Sequence, residues 1–291
     1  MFEGLVVRAF SHICLVDIGG ETLECRPRGK LRYRERRAMV GDRVRVTPAG
    51  PGLGVIEDIL PRRNELARPP VANVDLAVVV FSLREPEVDL LVVDQVLLLV
   101  GRAGLGAALC LNKTDLLEPS EADKVRQVYA GLGYPFVAVS ARTGEALEDL
   151  RALLSGRVSV LAGPSGVGKS SLLNALNAEL RLRTGELSRK VRRGTHTTRD
   201  VSLVPTGSGG LVADTPGFTQ LGLEGVSPEE VGWAYPELAE LAPGCRFRGC
   251  LHRAEPGCRV KEAVAEGRVD PGRYARYLEL LAEVEQTYRP W

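Results

Sequence analysis

The run GPSGVGKSS, Gly163 to Ser171, constrains the fold of this chain more tightly than any other stretch. It reads Gly-x4-Gly-Lys-Ser and lies between an apolar β-forming segment, VSVLA, and a helix-forming one, KSSLLNALN. Such a loop turns its backbone N–H groups inward, which glycine permits because it lacks the Cβ that clashes at positive φ. The helix that follows adds the positive end of its dipole, so the concavity suits a phosphate. Lys169 would neutralise the β and γ oxygens, and the Ser170 hydroxyl would reach Mg²⁺. The pattern predicts a strand–loop–helix unit with Gly163, Pro164, Ser165, Gly166, Val167, Gly168, Lys169, Ser170 and Ser171 wrapped around a nucleotide.

About fifty residues earlier, LCLNKTDLLEP carries Asn112, Lys113, Thr114 and Asp115 at the end of an apolar run. A carboxylate at Asp115 can accept from both N1–H and the exocyclic amine of guanine, a pair that adenine does not offer. An adenine nucleotide would leave that carboxylate desolvated and unpaired, and sites built this way reject the wrong partner by about 10⁴-fold. Lys113 is expected to pack along the base plane and Asn112 to fasten the loop to its neighbours. Ser140 and Ala141, in VAVSAR, end the next apolar run, where a backbone N–H can meet the guanine oxygen. An ordinary GTPase places its phosphate loop first and its base reader second, so the order here is inverted.

The γ-phosphate side follows in LVADTPGF, where Asp214 would hold the metal through its shell and the N–H of Gly217 would sense the γ-phosphate. Between this and the phosphate loop lies RRGTHTTRD, which offers Thr197 and Thr198 to Mg²⁺. Where Ras-like enzymes keep a water-orienting glutamine, this chain has Phe218, which cannot orient water. His196 is the nearest group able to replace it, and it stands in the same loop as the two threonines.

The rest of the sequence places these motifs. Its 291 residues, 44% hydrophobic, suffice for two or three compact domains. Net charge is only +1, so no global field argues for a polyanion. Arginine outnumbers lysine 32 to six, a bias that suits phosphate and base contacts and that GC-rich or heat-adapted genomes also produce. Neither the opening MFEGLVVRAFSH nor the apolar stretch Leu90–Val100 has the pattern of a secretory signal or a membrane span, so a cytoplasmic protein without a membrane partner is expected. Cys245, Cys250, His252 and Cys258 crowd fourteen residues. Three thiolates and an imidazole form a closed tetrahedral donor set, which predicts one structural Zn²⁺.

Residues 1–67 read as short strands separated by glycine turns, a small antiparallel barrel. In it Arg26, Arg28, Lys30, Arg32 and Arg34 crowd one stretch, either as a solvated loop or as a phosphate-tracking RNA patch. ARPPVANVD is expected to be a Pro-Pro hinge. Residues 68–223 alternate apolar runs with helical patterns, as in a doubly wound parallel sheet. Residues 224–291 are turn-rich around the cysteines and then helical, with Asp270 and Pro271 opening the last helix.

Taken in order, N-K-x-D, Ser140-Ala141, the phosphate loop, G-T-H-T-T, D-T-P-G and Cys-x4-Cys-x-His-x5-Cys resemble the RsgA family of circularly permuted GTPases of small ribosomal subunit biogenesis. The resemblance covers nearly the whole chain, RPPVANVD included. It implies an OB-fold barrel, a permuted P-loop GTPase domain and a zinc-binding module. It further implies docking on the small subunit and its rRNA late in maturation, hydrolysis of GTP to GDP stimulated there, and release afterward; a monomer is expected. His196 matches the family's catalytic histidine. Arg199 stands where another threonine is expected, so Thr197 and Thr198 both remain candidates for Mg²⁺. The permuted order carries the chain from Gly217 into the zinc module within about thirty residues, so movement of that loop would alter the module's grip on the ribosome. The alternatives are a non-hydrolysing, GTP-gated RNA-binding factor and an ATP-using nucleic-acid enzyme.

Overall fold

The computed structural model describes residues 1–10, 13–29, 37–67, 69–184, 201–207, 209–214 and 222–288. Five strands open the chain: β1 (Phe2–Phe10), β2 (Ile13–Asp17), β3 (Thr22–Pro27), β4 (Arg43–Gly50) and β5 (Leu53–Ile59). They run in the order β1-β2-β3-β5-β4, and β4 returns to pair antiparallel with β1. This is the closed barrel expected of an OB-fold. Alternating residues, among them Val6, Val16, Leu23, Val44, Val46 and Ile56, point inward and fill it. Packing is close enough that a Cβ on Gly54 would lie 2.7 Å from Val46 Cγ1 and 2.8 Å from Cys25 Sγ. Cys14 and Cys25 face each other across β2 and β3 as free thiols. Burial pushes both up to about 11, so they behave as small apolar side chains.

The expected hinge at ARPPVANVD is instead a short hairpin, β6 (Glu65–Ala67) with β7 (Pro70–Ala72). It is clamped to the barrel. Arg62 makes a two-pronged contact with fully buried Asp42, Nε to Oδ1 at 2.7 Å and Nη2 to Oδ2 at 2.8 Å. Asn73 Nδ2 donates to Gly41 O at 2.9 Å, and Gly41 lies so close to Ala72 that a Cβ there would sit 2.0 Å from its carbonyl oxygen. Proline predicted a joint, but the segment is a paired hairpin held by side-chain hydrogen bonds.

Six further strands form the second layer: β8 (Leu76–Phe81), β9 (Gly106–Leu111), β10 (Phe136–Ala138), β11 (Val158–Ala162), β12 (Ser202–Pro205) and β13 (Leu211–Asp214). Their order is β10-β9-β8-β11-β13-β12, parallel throughout except for β12. All six residues of β8 are buried, as helices on both faces demand. Those helices are α1 (Leu90–Arg102), α2 (Pro119–Val128), α3 (Leu147–Leu154) and α4 (Lys169–Thr184). The Asp89 carboxylate caps α1 by accepting from Leu91 N at 2.8 Å. Strand β12 also meets β1, with Arg8 opposite Ser202, so the barrel and this sheet share one hydrogen-bonded edge.

The C-terminal part is a 3₁₀ turn (Pro228–Ala234) and helices α5 (Pro236–Leu241), α6 (Arg259–Ala265) and α7 (Pro271–Thr287). The expected start of the last helix is observed, with Asp270 accepting from Arg273 N at 2.7 Å. One polar cluster joins this part to α1. Asp94 is fully buried and accepts from Arg273 Nη1 at 2.6 Å, Arg276 Nε at 2.8 Å, Tyr129 Oη at 2.9 Å and Tyr235 Oη at 3.2 Å. Arg273 also reaches Glu237 at 2.8 Å and Ala234 O at 2.8 Å. A charge removed from water this completely persists only when paired and hydrogen-bonded, and Asp94 is both.

Candidate functional site

The two motifs that stand about fifty residues apart in sequence meet at the carboxyl ends of β9 and β11. The contact is direct. Asn112, 1% exposed, donates from Nδ2 to Val167 O at 2.8 Å and accepts from Ala141 N at Oδ1 at 3.1 Å. One side chain therefore fastens the base loop to the phosphate loop and to the Ser140-Ala141 turn. A Cβ on Gly168 would lie 2.3 Å from Asn112 Nδ2, and the residue's φ is +95°. Glycine is needed there for conformation and for the close approach of Asn112.

A cavity of about 430 Å³ opens beside this junction, lined by Asn112, Lys113, Asp115, Ala141, Gly168 and Ser171 together with Glu85, Leu116 and Arg142. Asp115 and Thr114 lie in the short 3₁₀ turn Thr114–Leu116. The Ser140 hydroxyl donates to Asp115 Oδ1, and Arg142 Nη2 lies 2.6 Å from Oδ2. Asp115 is held below the usual carboxylate range, first by the Ser140 hydrogen bond, against burial, and then by the Arg142 charge. The carboxylate is thus ionised and fixed in plane. A carboxylate has about four acceptor sites, and these two contacts leave others free.

Lys113 has left-handed backbone, φ +67°, and its Nζ donates to the carbonyl of Glu85 in the loop between β8 and α1. Glu85 and Arg142 were not among the residues that the motifs singled out. Arg142 directly follows Ser140-Ala141, so adjacency in the same turn was the available signal. Glu85 had none, because only the fold brings its loop to the cavity.

In the phosphate loop, Gly163 (φ +132°) packs where a Cβ would lie 2.0 Å from Val80 O. Lys169 Nζ donates to the carbonyls of Gly163 at 2.7 Å and Pro164 at 2.6 Å, and burial lowers its pKa. Those bonds hold the ammonium over the loop that Pro164, Ser165, Gly166 and Val167 complete. Ser170 and Ser171 open α4. Asp214 ends β13, the parallel neighbour of β11, so it stands on the same edge of the sheet as Ser170. His196, Thr197, Thr198, Gly217 and Phe218 lie outside the described residues, as do Lys30, Arg32 and Arg34. Of the remaining basic stretch, Arg26 is on β3, and Arg28 is engaged by Glu57.

Cys245, Cys250, His252 and Cys258 converge, with all four donor atoms within 4.8 Å of one another. Cys245 Sγ and Cys258 Sγ are 3.9 Å apart, and His252 Nδ1 lies 3.6 Å and 3.4 Å from them. A tetrahedron with Zn–S near 2.3 Å has edges of about 3.8 Å, so the set fits zinc. Outer contacts hold the loop: Tyr274 Oη donates to His252 O at 2.6 Å, and Tyr277 Oη to Leu251 O at 2.9 Å. The Glu255 carboxylate accepts from Leu251 N and Arg253 N, each at 2.8 Å.

Residues 59–224 match the family described as RsgA GTPase, and residues 3–56 match the RsgA N-terminal domain. The small ribosomal subunit biogenesis GTPase RsgA of Moorella thermoacetica is 47% identical over 282 residues, 97% of either chain. Its counterpart in Shouchella clausii is 44% identical over 292 residues, 99% of either chain. Among solved structures, YjeQ from Thermotoga maritima superposes with a TM-score of 0.84 at 38% identity, covering 99% of both chains. YloQ, a circularly permuted GTPase, gives 0.83 at 32% identity over 100% of this chain and 97% of its own.

Proposed function

Because the chain belongs to the RsgA GTPase family, we propose that it is the GTP hydrolase that binds the small ribosomal subunit during late maturation and times its own release by hydrolysis. The observation that carries the reading is the single junction at Asn112, where base loop, phosphate loop and Ser140-Ala141 turn share one set of hydrogen bonds. A nucleotide seated there meets Asp115 at its base and Lys169 at its phosphates. Backbone N–H groups of the Gly163–Ser171 loop, Pro164 excepted, would hold its phosphates. Magnesium belongs with Ser170, Asp214 and Thr197 or Thr198, where it would offset charge on the β and γ oxygens. His196 is the residue to orient or deprotonate the attacking water, since Phe218 cannot.

Within that reading residues 1–67 serve as the RNA-binding barrel, with Arg26, Arg28, Lys30, Arg32 and Arg34 against rRNA. Residues 68–223 carry the GTPase, and residues 224–291 form the zinc-binding module. The protein works as a monomer in the cytoplasm. Among the described residues no helix is long and apolar enough to cross a membrane.

Turnover measured with and without purified small subunits tests the reading. GTP hydrolysis is expected to rise on adding subunits, and His196→Ala to lose about 10²-fold or more of that rate with GTP affinity unchanged. No stimulation, and no loss in the variant, would favour the non-hydrolysing, GTP-gated RNA-binding factor. Tighter subunit binding with a GTP analogue than with GDP is also expected, since a ligand blind to nucleotide state cannot be switched.

One structural zinc per chain is the second expectation. Elemental analysis should find it, and Cys258→Ser should lose it and loosen residues 245–258. A short polar segment with so small an apolar interior depends on such a staple. Zinc well below one equivalent in folded wild type would overturn the assignment.

A further inference from the structure

Five large apolar side chains stand most exposed among the described residues, and two of them, Trp233 at 50% and Phe247 at 45%, line the same groove. The groove has a volume of about 670 Å³ and runs between the 3₁₀ turn and the loop from Cys245 to Cys250. Arg246 and Arg248 flank Phe247 in that loop and also line it, with Glu229 the sole acid among the lining residues. Elsewhere in this part of the chain exposed arginines are neutralised: Arg253 by Glu285 at 2.7 Å, Arg259 by Glu262 at 2.8 Å and Arg268 by Glu266 at 2.6 Å. Arg246 and Arg248 have no carboxylate partner among the described residues, and the Arg246 guanidinium lies 5.4 Å from the centre of the Phe247 ring. Two arginines without carboxylate partners, one of them over the Phe247 ring, beside two half-exposed aromatic side chains call for a partner that is both flat and anionic.

Both walls are tethered to their surroundings. Cys245 and Cys250 bound the Phe247 loop within the cluster of four donors, and Arg246 N donates to Gly257 O at 3.0 Å. The turn carrying Trp233 is fixed by a reciprocal cap between Ser227 and Glu230, and it packs on α1, where a Cβ on Gly101 would lie 3.5 Å from Trp233 Cβ.

We propose that this groove receives an unpaired RNA base, stacked on Phe247 and Trp233, with the flanking phosphates on Arg246 and Arg248. The proposal deepens the ribosomal reading and rests on it. Duplex RNA does not fit the chemistry, because its bases are stacked inside the helix and offer no free face. The lining also lacks amide side chains for reading base edges, so the groove stacks any base rather than selecting a sequence.

The chain has two tryptophans, so Trp291→Phe leaves Trp233 as the sole reporter in the full-length protein. Titration with single-stranded oligouridylate is expected to quench its fluorescence to saturation. Phe247→Ala should weaken that binding by about 5- to 100-fold. Replacing Arg246 and Arg248 with serine should lower the slope of log affinity against log salt by about 1.4, the value for two phosphates on a single strand. Zinc content and GDP affinity serve as controls and should not change, because all three residues are exposed and none lines the cavity beside Asn112. Absence of quenching, or equal quenching by duplex RNA or by a polyglutamate peptide, overturns the proposal. Small-subunit binding by wild type is measured alongside. If wild type binds subunits and Phe247→Ala binds equally well, only the groove assignment fails. If wild type does not bind them, the ribosomal reading fails, and the oligouridylate titration still decides the groove.

Discussion

Asp94→Ala is expected to destabilise the C-terminal part of the protein by about 3–5 kcal/mol. The carboxylate is fully buried and accepts from two arginines and two tyrosines. Removing it leaves Arg273, 1% exposed, with Glu237 as its remaining anion, and strips Arg276 of its carboxylate partner. Uncompensated charge in a low-dielectric setting is the costly outcome, more so than the loss of any one hydrogen bond. Thermal unfolding should show the midpoint of the transition that includes α7 falling by roughly 10 °C. Asp94→Asn, which keeps the shape and one acceptor, should lose less. A shift below about 1 kcal/mol for Asp94→Ala would mean that apolar packing alone holds the module.

The same cluster revises the mechanical picture that the permuted order suggests. Residue Asp94 belongs to α1, whose capped start at Asp89 follows the loop that carries Glu85 into the nucleotide cavity. The C-terminal part is therefore fastened to α1, whose preceding loop carries Glu85 into that cavity, in addition to being reached by the chain from Gly217. Movement of the module independent of α1 would break a buried ionic cluster.

Asp115→Asn is expected to weaken GDP and GTP by about 10²–10⁴-fold, because two charge-assisted hydrogen bonds are lost from a desolvated position. The neutral amide can donate as well as accept, so xanthine nucleotides, with a carbonyl in place of the exocyclic amine, should gain. Equilibrium titration with GDP and xanthosine diphosphate decides it, and unchanged affinity for both would remove Asp115 from the base pocket. The acid limb follows from the sign of the shift. The Ser140 hydrogen bond and the Arg142 charge lower the pKa of Asp115 against its burial. The ionised form is the one that accepts, so GDP affinity should stay flat through neutral and mildly acid pH. It should fall only below the usual carboxylate range.

What was readable in the sequence shares one property: each feature is contiguous. The phosphate loop needs its glycines and Lys169 at fixed offsets because one backbone turn must wrap one phosphate. The four donors at 245–258 must be close in sequence because the segment has too little core to bring distant ones together. Barrel strands and buried parallel strands announce themselves by periods of two and by continuous apolar runs.

The sequence by itself therefore determined the three-part architecture, the nucleotide and base-reading motifs and the metal donor set. Only the tertiary structure decided how they are joined. ARPPVANVD looked like a hinge because proline breaks regular structure, and it became a clamp because Arg62 and Asn73 found partners in the barrel. Asp94 lies within the apolar stretch Leu90–Val100, and it is the anchor of a cluster whose partner Arg273 lies 179 residues away. Glu85 and the Trp233–Phe247 groove were equally hidden. Pairing between distant charged and aromatic groups leaves no periodicity in a sequence. It is set by which surfaces the folded sheet and helices bring within a few ångströms of each other.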